Sequence, residues 1–141
     1  MSRQERIFQL ALRVLGTSCL SATLFVFVPF EWMNSIHQQL GLGNLPDTPI
    51  VGYLARSTSA FYAMLGGLLW MLSFDVRRHR AVLRYLGLAI IVFGMALFGV
   101  GWQVGLPIWW RLWEGPIDCA FGIVILWLAS RTGDSDPGRG G

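Results

Sequence analysis

Four long apolar stretches constrain this chain more than any other feature. They run at about 7–30, 50–74, 85–105 and 116–130. A helix needs roughly 20 apolar residues to cross a bilayer, and each stretch reads as one crossing. Only 13% of the 141 residues are charged, against about 25% in an ordinary soluble domain. The expectation is an all-α chain: a four-helix transmembrane bundle at 1–130, followed by a disordered cytoplasmic tail at 131–141, which is polar and glycine-rich.

The charges sort by side. All eleven basic residues are arginine. Arg3 and Arg6 precede the first stretch, Arg77, Arg78, Arg80 and Arg84 lie between the second and third, and Arg131 and Arg139 follow the fourth. The other two connections hold only Arg111. The positive-inside rule then puts both termini and the middle loop in the cytoplasm, and an even number of crossings agrees with that. The expected location is a bacterial cytoplasmic membrane. The net charge of +3 is therefore a topology signal, and no nucleic-acid partner is expected. The first apolar run is too long for a signal peptide and has no small-residue cleavage site after it, so it is expected to persist in the mature protein.

Between the first two stretches, Trp32, Met33, Ile36 and Leu40 recur at helical spacing, which predicts a short amphipathic helix on the outer (periplasmic) membrane surface. Gly41, Gly43, Asn44 and Pro46 end it. Trp102, Trp109, Trp110 and Trp113 cluster around the last connection, 106–115; with Trp32 they form an outer aromatic belt. Pro116 is expected to open the last helix from its first turn.

Small residues mark expected packing faces. Ser59, Ala63 and Gly67 are four apart in the second stretch, a spacing that lets helix backbones approach closely. Gly87, Gly94 and Gly101 are seven apart in the third and return nearly to one face every two turns. The second and third helices are expected to pack through these faces. Gln9, Arg13, Thr17 and Ser21 form a polar stripe along the first helix that should face other helices or reach the interface.

One polar constellation stands out. Arg56 lies about six residues inside the outer end of the second helix, where a charge costs a few kcal/mol unless paired. Asp118 is about as deep from the same side, and Glu114 and Glu31 are near. The first expectation is a structural clasp, with a bidentate Arg–carboxylate contact. The alternative is an outward-facing polar pocket lined also by Tyr53 and Gln103. On the inner side, Asp75 sits at a helix C-terminus, where the dipole calls for a cation, and Arg77, Arg78 and Arg13 are the candidates. Cys19 and Cys119 read as small buried residues. His37 and His79 fall on opposite sides, and no P-loop or paired metal-ligand motif occurs. No catalytic, cofactor or metal residue is assigned.

The segment 56–94 resembles the second and third helices of small bacterial DoxX-like membrane proteins, on Arg56, Gly66, Gly67, the basic turn 75–80 and Gly94. The resemblance implies a compact four-helix bundle and assigns no catalytic residue. Abundant packing residues beside an absence of chemistry lead to an expected function: a non-enzymatic accessory or scaffolding subunit of a larger membrane complex. Its partners are the lipid bilayer and either other subunits or further copies of itself. A small transporter or ligand-binding protein using the Arg56 pocket is the alternative.

Overall fold

A computed structural model of the chain describes residues 3–132. Of the expected tail 131–141, Arg131 ends the last helix and the residues beyond Thr132 lie outside the described residues. Every regular element among the described residues is a helix, in the order α1 (Arg3–Ser21), α2 (Thr23–Phe27), α3 (Phe30–Gln39), α4 (Pro49–Ser73), α5 (Arg80–Gln103) and α6 (Ile108–Arg131). Only Ala22 separates α1 from α2, and its backbone is α-helical (φ −60°, ψ −19°), so the two continue as one rod, Arg3–Phe27.

Three helices are long and apolar enough to cross a membrane: Arg3–Phe27, Arg80–Gln103 and Ile108–Arg131. At 1.5 Å per residue these span about 36 Å, more than the ~30 Å of a hydrocarbon core. Large apolar side chains stand on their surfaces; Leu24, Leu88, Val92 and Ile123 are all exposed. A soluble protein avoids apolar surface on that scale, whereas lipid covers it at no cost. The 25 residues of α4 are equally long, but Arg56, Ser57, Thr58 and Ser59 lower its apolar character.

The helix ends have local causes. The first rod stops at Phe27 because Val28 precedes Pro29 and takes an extended conformation (φ −62°, ψ 134°), which the proline ring favours. The expected first helix, 7–30, therefore starts four residues earlier and ends three earlier. α3 closes in a Schellman motif: Gly41 is left-handed (φ 74°), its N–H donates to the Gln38 carbonyl, and the Leu42 N–H reaches His37. α5 closes likewise at Gly105 (φ 70°), with the Leu106 N–H donating to the Gly101 carbonyl. Those positive φ angles favour glycine at both sites.

The start of the last helix differs from expectation. Pro107, not Pro116, is the N-terminal stop, and α6 runs helically through the expected connection with Pro116 inside it. A proline deprives the carbonyl four residues back of its partner, here Leu112, and normally strains the residue before it. That residue is Gly115, which has no Cβ to meet the ring.

The chain divides into two compact units. The first joins the start of α1, to Leu12, with the described residues from Leu72 onward, and holds α5 and α6. Its buried apolar residues are Phe8 and Leu12 on α1, Leu72 and Val76 around the end of α4, Leu83 on α5, and Ile125, Leu128 and Ala129 on α6. The second unit, Arg13–Met71, holds the rest of α1, then α2, α3 and most of α4.

Candidate functional site

In the first unit, α5 and α6 run antiparallel and meet through four glycines. A Cβ at Gly94 would lie 2.7 Å from the Gly115 carbonyl oxygen, and one at Gly122 would lie 2.6 Å from that of Gly87. The seven-residue spacing of Gly87 and Gly94 is thus matched by the seven-residue spacing of Gly115 and Gly122. The expected partner of the α5 glycine face was the second helix; the structure puts α6 there. Gly101 continues the row but meets the Arg111 stem, 3.3 Å from its Cβ position. The Arg111 guanidinium lies 4.2 Å above the Trp102 ring, a cation–π contact that compensates a buried Nε without a hydrogen-bond partner. The Cys119 thiol donates to the Ile91 carbonyl (3.5 Å) between the glycine pairs.

The same unit carries an ion pair. The Arg77 guanidinium binds the Glu5 carboxylate. Glu5 is 6% exposed at its side chain and Arg77 59%, so the acid is sequestered and the base reaches solvent. Asp75, the acid expected to need Arg77, instead accepts from the Arg78 backbone N–H (3.0 Å) and caps the turn before α5. Glu5 escaped the sequence reading because the helix was expected to begin after it. Extending α1 to Arg3 puts Glu5, Phe8 and Leu12 on one buried face at intervals of three and four.

The second unit has its own close approach. A Cβ at Gly66 would lie 2.6 Å from the Gly16 carbonyl oxygen, so α1 and α4 meet backbone to backbone. Gly67, the expected packing glycine, has nothing within 4 Å of its Cβ position, while Ser59 and Ala63 are half-buried. Arg13, Thr17 and Ser21 of the α1 polar stripe line an open groove of about 520 Å³ together with Val14 and Ser18. Two of these residues contact Trp70: its indole N–H donates to the Thr17 hydroxyl (3.1 Å) and its ring lies 5.2 Å from the Arg13 guanidinium.

The residues of the expected Arg56 constellation divide between the units. Arg56, Tyr53 and Glu31 belong to the second, and all three are exposed. Arg56 donates to the Val28 carbonyl at 3.4 Å, where α2 has ended and its last carbonyls lack helical partners. Glu114, Asp118 and Gln103 belong to the first, and Glu114 accepts from the Trp110 indole one turn earlier. Arg56 thus has a local capping role. A single exposed hydrogen bond of that length is worth at most about 1 kcal/mol. Arg56→Ala is expected to lower thermal stability in detergent by no more than that, and Arg56→Lys by less. A loss of several kcal/mol would point to a carboxylate partner instead.

On the exposed side of the α5/α6 pair runs a second open groove, of about 720 Å³. Leu88, Ile123 and Leu126 form its apolar stretch. Arg84, Tyr85 and Ser130 stand at the other end beside Trp127, and the Arg131 guanidinium carbon lies 4.5 Å from the Trp127 ring centroid. α3 shows a comparable polarity: Met33 is buried while Trp32, Ile36 and Leu40 form an exposed row four apart. Around α3 the connection folds back on itself. The Leu45 N–H donates to the Asn34 side chain (2.7 Å), and Gln38 donates to Asn44 (2.6 Å).

No family model, curated protein or solved structure matches the chain. Among the described residues no group of three His, Cys, Asp or Glu side chains is placed to hold a metal ion.

Proposed function

We propose that the chain is a non-enzymatic integral membrane protein that serves as an accessory or scaffolding subunit of a larger membrane complex. α4 is the fourth crossing, both termini are cytoplasmic, and α3 lies in the outer interface with Trp32, Ile36 and Leu40 toward lipid. A bacterial cytoplasmic membrane is the setting. What carries the subunit reading is the α1 groove. Thr17, Ser18 and Ser21 are exposed beside Arg13 in the part of the rod beyond Gln9, which is largely apolar. Ser18 and Ser21 donate their hydroxyls to the Val14 and Ser18 carbonyls (3.0 and 2.6 Å), and Thr17 accepts from Trp70 (3.1 Å). What a neighbouring helix offers these small residues over lipid tails is close packing, with donors for their remaining lone pairs.

Gentle-detergent purification of the full chain, followed by native mass analysis, tests this. The expected result is a stoichiometric companion, either another protein or a second copy. Ser18→Trp fills the groove from an exposed position and should abolish the association while leaving thermal unfolding unchanged. A lone chain with bound lipid only, or an association indifferent to Ser18→Trp, would move the assignment to the ligand-binding alternative.

A further inference from the structure

We infer that the α5/α6 groove is a binding site for an anionic phospholipid: the phosphate sits between Arg84 and Arg131, and one acyl chain lies along Leu88, Ile123 and Leu126. The groove has the polarity of such a molecule. α5 and α6 are antiparallel, so the first turns of one and the last turn of the other share an end, and that end carries both arginines, the Tyr85 ring and the Ser130 hydroxyl. Within about two turns the lining becomes wholly apolar. Arg84 is exposed, and among the described residues it has neither an ion-pair nor a hydrogen-bond partner. The Arg131 guanidinium carbon lies 4.5 Å from the Trp127 ring centroid, a cation–π contact that does not use the N–H groups an oxyanion would bind.

The depth also fits. Arg84 lies one turn inside α5 and Arg131 is the last residue of α6, so both reach headgroup level if the helices cross the bilayer. Tyr85 and Trp127 are the residue types that settle at that level. The N-terminus of α5 adds a partial positive charge, while Arg131 offsets the opposing dipole at the end of α6. A zwitterionic headgroup brings its own cation to the arginines and gains less, so the site selects net negative charge. The subunit assignment is not needed for this inference; it requires only that the helices reside in a bilayer.

The test is native mass spectrometry of the full chain released from nanodiscs of mixed phosphatidylglycerol and phosphatidylcholine. Phosphatidylglycerol is expected to be retained preferentially. Each of Arg84→Gln and Arg131→Gln should weaken its retention about five-fold, and the pair about thirty-fold. The double variant Arg3→Gln/Arg6→Gln removes the same charge from the exposed start of α1 and should leave retention unchanged. Ile123→Trp fills the apolar stretch from an exposed position and should weaken retention with both arginines in place. Equal retention of the two lipids overturns the inference, as does equal loss in the two charge variants. Retention indifferent to Ile123→Trp, or full displacement by glycerol phosphate, leaves a phosphate site without an acyl groove and overturns it as well.

Discussion

Gly122→Ala and Gly94→Ala should each destabilise the protein, and by more than any change at its exposed helical glycines. Two effects compete. Alanine in a helix interior is favoured over glycine by about 1 kcal/mol. Against that, the new methyl at Gly122 would stand 2.6 Å from the Gly87 carbonyl oxygen and 2.6 Å from Ile91 Cγ1; at Gly94 it would stand 2.7 Å from the Gly115 oxygen and 2.9 Å from the Cys119 nitrogen. Backbone atoms cannot rotate away, so the helices must separate along the whole interface. Overpacking of that kind costs about 1–3 kcal/mol or more and should decide the sign. Gly87→Ala should be milder, because the nearest atom is a Leu126 side-chain carbon at 2.8 Å and the Gly122 carbonyl oxygen stands farther off, at 3.0 Å. Gly67→Ala and Gly99→Ala meet nothing within 4 Å and should be neutral or slightly stabilising. Equilibrium unfolding in mixed micelles gives the ranking. A Gly99→Ala loss equal to that of Gly122→Ala would remove close helix approach as the cause.

That interface also shows how much could be read without coordinates. The helical content and the long apolar segments follow directly from composition, and the glycine repeat of α5 marks a packing face by spacing alone. What spacing cannot give is the identity of the facing helix. Gly115 and Gly122 carry the same seven-residue signal, but assigning the helix start to Pro116 left Gly115 outside it and hid the match. Proline at a first turn is the commoner case, and only the preceding glycine hints that the helix continues through. An error of similar size at the other end hid Glu5. With α1 taken from residue 7, the acid lies before the helix; with α1 taken from Arg3, it lies on the face of Phe8 and Leu12. Boundaries thus decided which charged and small residues could meet, and these are what periodicity fixes least well. The polar groups of the Arg56 constellation were legible as a set of residue types. Their local partners, the Val28 carbonyl and the Trp110 indole, come from backbone direction and helix ends, which residue type does not encode.

The Glu5–Arg77 pair should respond asymmetrically to losing either member. Arg77→Met deprives a sequestered carboxylate of its cation, whereas Glu5→Gln leaves behind an arginine that is 59% exposed and can be hydrated. Breaking a fully buried pair costs about 3–5 kcal/mol, mostly the penalty on the charge left inside. With one partner half in solvent, about 2 kcal/mol is expected for Arg77→Met. Glu5→Gln should cost about 1 kcal/mol or less, near the range of exposed pairs. Glu5→Leu/Arg77→Met removes both charges and keeps the volume. It should recover most of the loss, because apolar replacement of a buried pair is often neutral. The double-mutant cycle in detergent then reports a coupling of about 1–2 kcal/mol. The consequence extends to topology: an arginine whose charge is spent on Glu5 contributes less to the positive-inside signal than Arg78, Arg80 or Arg84. Orientation reporters fused to the C-terminus should therefore tolerate Arg77→Met better than the joint loss of Arg78 and Arg80. Equal stability losses from the two single variants would show that the seclusion of Glu5 does not set the cost.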